Sequence, residues 1–283
     1  MSTLDHKIDF AVVVSVSKAN PNGDPLNGNR PRQNYDGHGE ISDVAIKRKI
    51  RNRLQDMGEA IFVQSDDRKV DDYKSLRDRA DAHPELAKML KAKNASADEF
   101  AEITCQQWMD VRSFGQVFAF KGSNLSVGVR GPVSIHTATS VDPIDIVSTQ
   151  ITKSVNSVTG EKRSSDTMGM KHRVDFGVYV FKGSINTQLA EKTGFTNEDA
   201  DKIKQALITL FENDSSSARP DGSMEVYKVY WWEHASKLGQ YSSAKVHRSL
   251  KVESEIETPK TINDYRIELD ELADLNVDVI DGQ

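Results

Sequence analysis

The chain holds one cysteine, Cys105, in 283 residues. No internal disulfide can form, and a zinc site built on several cysteines is excluded. Seven histidines (His6, His38, His83, His136, His172, His234 and His247) are scattered with no i,i+4 pair, so no metal site and no cofactor are expected. The phosphate-loop, H-E-x-x-H, G-x-S-x-G and kinase signatures are missing as well, and no catalytic residue is assigned. Long apolar runs are also absent. The most apolar stretch, Ile8 to Val16, is far too short to span a bilayer and has no cleavage-site flank. With a mean hydropathy of −0.56, the expectation is a cytoplasmic protein with no membrane partner.

A basic excess is missing too. The net charge is −6, which taken whole argues against nucleic acid. The distribution points the other way. Residues 251–283 carry ten acidic and three basic side chains, so the preceding 250 residues sum to +1. Within these, Lys18 to Arg53 holds eight basic and four acidic residues, and Arg112 to Lys182 holds nine and five. The stretch between them, Leu54 to Val111, holds eight basic and thirteen acidic ones. Positive charge is gathered in two segments, a pattern that fits both a nucleic-acid footprint and an ordinary solvated surface.

What is present reads first as a strand, Ile8 to Ser17, by its β-branched content. A long loop follows from Ala19 to Gly39, rich in Asn, Gly and Pro, and loops of that length are functional or disordered. Helix one spans about Ser42 to Met57, with Ile46, Ile50, Leu54 and Met57 as its apolar stripe. Lys47, Arg48 and Arg51 lie at roughly 100°, 200° and 140° from Ile46, which predicts an exposed basic face. From Asp71 to Asp110 the pattern is helical. Pro84 suits a helix start, Ser96-Ala97-Asp98-Glu99 resembles a capping box, and Cys105 and Trp108 are expected to pack inward.

Strand character returns from Arg112 to Thr139 and again from Arg173 to Phe181. The stretch from Asp142 to His172 has little periodicity. Thr196-Asn197-Glu198-Asp199 opens another helix, Met224 to Glu233 is a strand, and Lys245 to Val252 is expected to be one more. The order suits an α+β domain of the β-α-β-β-α-β type, ferredoxin-like or RRM-like. The whole chain, 1–283, reads as one such domain. It carries a helical insertion over 60–111, a second insertion over 142–172 and an acidic C-terminal tail over 253–283. That skeleton alone settles no function.

Two features suit nucleic acid. The basic helix face follows a loop bearing Arg30 and Arg32, and basic side chains beside helix amides suit phosphate oxygens. The segment 142–172 mixes hydroxyls, amides, cations and two methionines, as would a projecting hairpin with an apolar wedge for unstacking bases. A solvated helix face and a surface loop are the plainer readings. Asp24 and Asp36 fit turns, or acids placed to activate a 2′-hydroxyl or hold a metal.

Several short motifs occur together in order. They are Lys18-Ala19-Asn20-Pro21-Asn22-Gly23-Asp24-Pro25, Asn29-Arg30-Pro31-Arg32-Gln33 and Ile41-Ser42-Asp43-Val44-Ala45-Ile46-Lys47-Arg48-Lys49-Ile50-Arg51. Later come Arg112-Ser113-Phe114-Gly115, Gly131-Pro132-Val133, Thr149-Gln150-Ile151-Thr152 and Met168-Gly169-Met170-Lys171-His172-Arg173-Val174. From about Ile8 to Lys251 the chain resembles the "Cas-seven" backbone family of type I CRISPR systems, most closely its type I-C branch. The resemblance implies an RRM-like palm, a helical insertion and a thumb-like hairpin over about 142–172. It implies copies of the chain lined up on a crRNA in a Cascade complex, beside other Cascade subunits and with target DNA paired to the guide. Its activity would be non-catalytic. Carried onto this sequence, Asn20, Arg30, Arg32, Lys47, Arg48 and Arg51 would hold guide phosphates. Gln150, Lys153, Lys171 and His172 would contact RNA from the thumb, with Met168 or Met170 as the wedge. Related type III subunits cleave target RNA with an acidic residue in the loop after strand one, so Asp24 or Asp36 keeps an endoribonuclease as the alternative.

Overall fold

The near-continuous apolar run at the start of the chain forms strand β1 (Ile8–Ala19), buried on both faces along Ile8 to Val14. The computed structural model describes residues 2–152 and 168–283. After β1 the loop folds into a two-residue ladder, β2 (Gly23–Asp24) with β3 (Arg30–Pro31), and leads through β4 (His38–Ile41) into α1 (Asp43–Asp56). Helices α2 (Leu76–Asp81), α3 (Pro84–Lys91), α4 (Ala97–Gln107) and α5 (Met109–Phe114) precede the hairpin β5 (Gly115–Ala119) and β6 (Ser126–Arg130). Then come β7 (Val133–Ile135), β8 (Ala138–Pro143), β9 (Ile146–Thr152) and the 18-residue β10 (Met168–Ile185). The chain closes with α6 (Thr187–Thr193), α7 (Asn197–Ile208), β11 (Met224–Glu233), α8 (Ser243–Ser249), β12 (Leu250–Ser254), β13 (Tyr265–Leu269) and β14 (Val277–Asp281).

The main sheet is antiparallel, in the order β14-β11-β1-β10-β8-β4, with β7 and β9 also paired to β10. Side chains alternate across β1. Phe10, Val12, Val14 and Val16 face one way and pack with Ile46, Ile50 and Leu54 of α1 and Ile203 and Leu207 of α7. The expected apolar stripe of helix one is therefore its core face. Ala11 and Val13 face the other way, with Tyr230 and Trp232, beneath Val246 of α8, Leu250 of β12 and Tyr265 of β13. A second core gathers Phe62, Leu86, Phe100, Cys105, Trp108, Phe118 and Val127. Cys105 and Trp108 pack inward as expected, and burial raises the Cys105 thiol to about 11. This core takes in the β5–β6 hairpin, beyond residue 111.

Two expectations at the C-terminal end are corrected. Lys245 to Val252 is not one strand: the Ser242 hydroxyl accepts from Lys245 N and starts α8, and the strand begins only at Leu250. Residues 253–283 are not a trailing tail. β12 and β13 pair over the reverse sheet face, and β14 adds an edge strand to β11. Their apolar side chains cover Tyr230 and Trp232, and burying each such large side chain stabilises by about 1.5–3 kcal/mol. The β12–β13 pair is also pinned to the end of β8. Tyr265 OH donates to Asp142 Oδ2 at 2.8 Å and Ser254 Oγ donates to Asp142 Oδ1 at 2.9 Å.

Candidate nucleic-acid interface

The loop after β1 is held by its own side chains. Asn22 Oδ1 accepts from Ser42 N at 2.9 Å, tying the loop to the residue whose hydroxyl caps α1. A Cβ at Gly23 would stand 1.9 Å from Asn29 Oδ1, so a larger residue there displaces the Asn29 side chain. Asn20 is buried, and its Nδ2 donates to Asn29 O at 2.7 Å. One of its two amide N–H donors is used inside the loop, which gives Asn20 a loop-shaping role. Asp24 caps the 3-10 turn Pro25–Asn27, accepting from Leu26 N at 3.2 Å, and lies 3.7 Å from Arg32. Asp36 sits in an Asn34-capped turn, its N–H donating to Asn34 Oδ1 at 3.0 Å. Among the described residues no group of three or more His, Cys, Asp or Glu gathers to hold a metal.

Helix α1 does not present the exposed basic face that its spacing predicts. Lys47 is partly exposed and pairs with Asp43 one turn back at 3.0 Å. Arg48 turns under the chain and donates to Val63 O at 2.7 Å. Burial, then the neighbouring Arg51 charge, holds the Arg48 guanidinium below its ordinary range. Arg51 Nε donates to the buried Asp110 at 2.9 Å, and its guanidinium lies 5.0 Å above the Phe114 ring. Arg48 and Arg51 are thus joints to the helical insertion. The sequence reading missed Lys49 and Arg219, which meet at Asp214. With Asn22, Gly23 and Arg48 they line a polar cavity of about 300 Å³ between the loop and α1. The serine-rich turn around Arg219 was the only local signal.

The described part of 142–172 is a regular ladder, β9 against β10, running from Ile146↔Val174 to Thr152↔Met168. It extends past Ala19, the last β1 residue paired to β10, by roughly 20 Å at about 3.3 Å per residue. Paired residues share a face. Gln150, Met168, Met170, Ser148 and His172 therefore lie on one face, and Lys171 with Thr149 and Ile151 on the other. Gln150 Nε2 contacts Met168 Sδ at 2.7 Å, and Met168 and Met170 are both about half exposed. Lys153 lies outside the described residues.

One contact brings loop and hairpin together. Arg30 Nη1 donates to Ser148 Oγ at 3.0 Å, and Ser148 Oγ is 2.8 Å from His172 Nδ1. Gln33 Nε2 adds a second tie, donating to Ile144 O at 3.1 Å. Arg30 and His172 thereby border one surface that leads onto the methionine face of the hairpin. Cations at a loop and an apolar side-chain pair on an adjoining ladder suit a single strand, whose phosphates and bases need different partners.

No helix among the described residues is long and apolar enough to cross a membrane. Residues 6–270 match the family model described as CRISPR-associated protein Cas7. The chain is 25% identical over 319 residues to the CRISPR-associated protein Cas7 of Haloferax volcanii, covering 95% of this chain and 90% of that relative. Among solved structures it is similar to a chain of a "CRISPR RNA-guided surveillance complex, pre-nicking", with a TM-score of 0.49, 16% identity, and coverage of 80% of this chain and 78% of that one. It is also similar to a chain of a "CRISPR RNA-guided surveillance complex", with a TM-score of 0.43, 15% identity, and coverage of 80% and 68%. The family model spans nearly the whole sequence, and the chain belongs to the CRISPR-associated protein Cas7 family.

Proposed function

We propose that this chain is a non-catalytic crRNA-binding backbone subunit of a CRISPR RNA-guided surveillance complex of the type I-C branch. Copies of it line up along one guide, beside other subunits, and target DNA pairs with that guide. Family membership over residues 6–270 is the ground. The observation that carries the structural side is the Arg30–Ser148–His172 connection, which makes the loop after β1 and the projecting ladder one surface. The order β11-β1-β10-β8, with α1 and α7 on one face, supports an RRM-like palm. Residues 60–111 serve as the helical insertion and 142–172 as the thumb. Guide phosphates meet Arg30, Arg32 and Lys47. Gln150, Lys153 and His172 contact the strand from the thumb, Lys171 serves its other face, and Met168 or Met170 enters the stack. The use of Asp24 as a turn cap facing Arg32 supports a non-catalytic role.

The test is size-exclusion chromatography of the protein made with and without a co-expressed CRISPR array, followed by extraction and sizing of bound RNA. A large assembly holding uncut RNA of one defined length is expected. A nucleic-acid-free monomer in both preparations sinks the reading, and progressive shortening of the RNA with added metal replaces it with a nuclease. In the same assay format, Arg30→Ala with Arg32→Ala is expected to weaken RNA binding about tenfold or more per lost charged contact. The salt slope should fall by about one per contact. Unchanged affinity and slope in the folded double variant would remove the loop from the interface.

A further inference from the structure

The sheet face opposite α1 and α7 is not fully roofed. Between β8–β10 and β12 it leaves a cavity of about 500 Å³, within the usual range of about 300–1,000 Å³ for small-ligand sites. The floor is apolar, from Val141, Val180 and Val252, and the uncharged rim residues and cation are His136, Thr137, Thr139 and Lys182. Two charged residues on its rim are already paired: Lys251 with Asp270 at 2.8 Å and Glu253 with Arg266 at 3.1 Å. Lys182 is different. It is half-buried, and its Nζ donates to a neutral carbonyl, His247 O, at 2.7 Å. Burial alone holds its ammonium below the ordinary range, with no acid among the described residues offsetting that effect. The exposed His136 ring packs edge-on against His247, with centroids 5.5 Å apart.

We propose that this cavity is a nucleotide-binding site, with the phosphate on Lys182 and His136 and the base against the valine floor. A half-buried cation without a carboxylate calls for an anion. The valine floor adds burial for the apolar face of a base, which inorganic phosphate does not supply. The hydroxyl of Thr139 is placed for the sugar or the phosphate. A cavity of about 500 Å³ has room for one mononucleotide and not for a strand. The site therefore takes one nucleotide, either free or at the end of an RNA chain. The inference is independent of where the guide runs.

Isothermal titration of the full chain with AMP, UMP and inorganic phosphate tests it, alongside short RNAs with and without a 5′-phosphate. Saturable one-to-one binding of a nucleotide is expected, at least tenfold tighter than inorganic phosphate. Lys182→Met is expected to weaken it at least tenfold. Thr139→Trp, which fills the cavity from a partly exposed position, is expected to abolish it, with melting temperature reporting that each variant is folded. If Lys182→Met does not fold, Thr139→Trp decides. Free nucleotides binding alone identifies a soluble ligand. A gain from the 5′-phosphate that Lys182→Met removes identifies a chain end. No saturable binding at millimolar ligand, binding unchanged in both variants, or phosphate binding as tightly as nucleotide overturns the proposal.

Discussion

Arg51→Glu is expected to destabilise the protein by about 3–5 kcal/mol, the usual cost of breaking a buried ion pair. Asp110 is 1% exposed and accepts from three donors: Phe62 N at 2.7 Å, Val63 N at 3.1 Å and Arg51 Nε at 2.9 Å. These bonds join α1 in the main core to the chain at Phe62 and to α5, at the edge of the second core. A glutamate at 51 sets a second carboxylate against one already out of water, and the cation over Phe114 is lost as well. The melting temperature should fall by roughly 6–20 °C, from about 2–4 °C per kcal/mol for a chain of this general size. Asp110→Ala should behave alike, because it strands Arg51 and two backbone N–H groups. Lys47→Glu is the contrasting variant: partly exposed and paired only along its own helix, it should change stability by about 0.5 kcal/mol or less. A melt of Arg51→Glu within a degree or two of the parent would refute the joint. Weakened RNA binding by Arg51→Glu thus reports misfolding before it reports contact, whereas Lys47→Glu reports on the interface.

The contrast within α1 shows what was legible in the sequence. Apolar periodicity placed Ile46, Ile50 and Leu54 against the sheet, and local rules placed the caps at Ser96 and Thr196, because these signals lie within a few residues of what they determine. The same periodicity put Lys47, Arg48 and Arg51 away from the stripe but is silent about what packs on the far side. Val63 and Asp110 do so, 15 and 59 residues away. The C-terminal strands were hidden for another reason. Tyr265-Arg266-Ile267-Glu268-Leu269 alternates as a half-covered strand should, yet the density of acidic residues drew the reading toward a tail. The split of the hairpin follows from parity: Met168, Met170 and His172 share a face that excludes Lys171. The Arg30–Ser148–His172 connection rests on residues 118 and 24 positions apart and had no local signal.

Asp9→Ala is expected to cost about 3–5 kcal/mol at neutral pH, and the same cluster should make the fold acid-sensitive in two separate windows. Asp9 lies fully buried on the reverse face of β1, with His234 Nε2 at 2.8 Å and Lys7 Nζ at 2.9 Å from Oδ2. On its other side the ring is held by Gln240, whose N and Oε1 lie 3.0 and 3.1 Å from His234 Nδ1. Burial works against the Asp9 charge, but hydrogen bonds from His234, Ser243 and Lys7 outweigh it and hold the carboxyl below 3.8. A carboxyl lowered on folding stabilises the fold above its unfolded value, and this is lost as pH falls through the folded value, below about 4.

His247 lies on the same side of the sheet, 3.7 Å from Asp9 and donating from Nε2 to Gly183 O at 2.9 Å. Burial pushes its imidazole below 6.5, against that hydrogen bond and the Asp9 charge and helped by His136 and Lys182. The unfolded chain therefore takes up this proton first, and stability falls as the pH drops below about 6.5. His247→Gln, which can still donate to Gly183 O, should flatten urea midpoints between pH 6.5 and 5 while leaving the fall below pH 4 in place. A slope between pH 6.5 and 5 that survives His247→Gln unchanged would move that window to another group. Asp9→Ala should shrink the fall below pH 4 that remains in His247→Gln, leaving the part that Asp71, held low by Arg79, contributes.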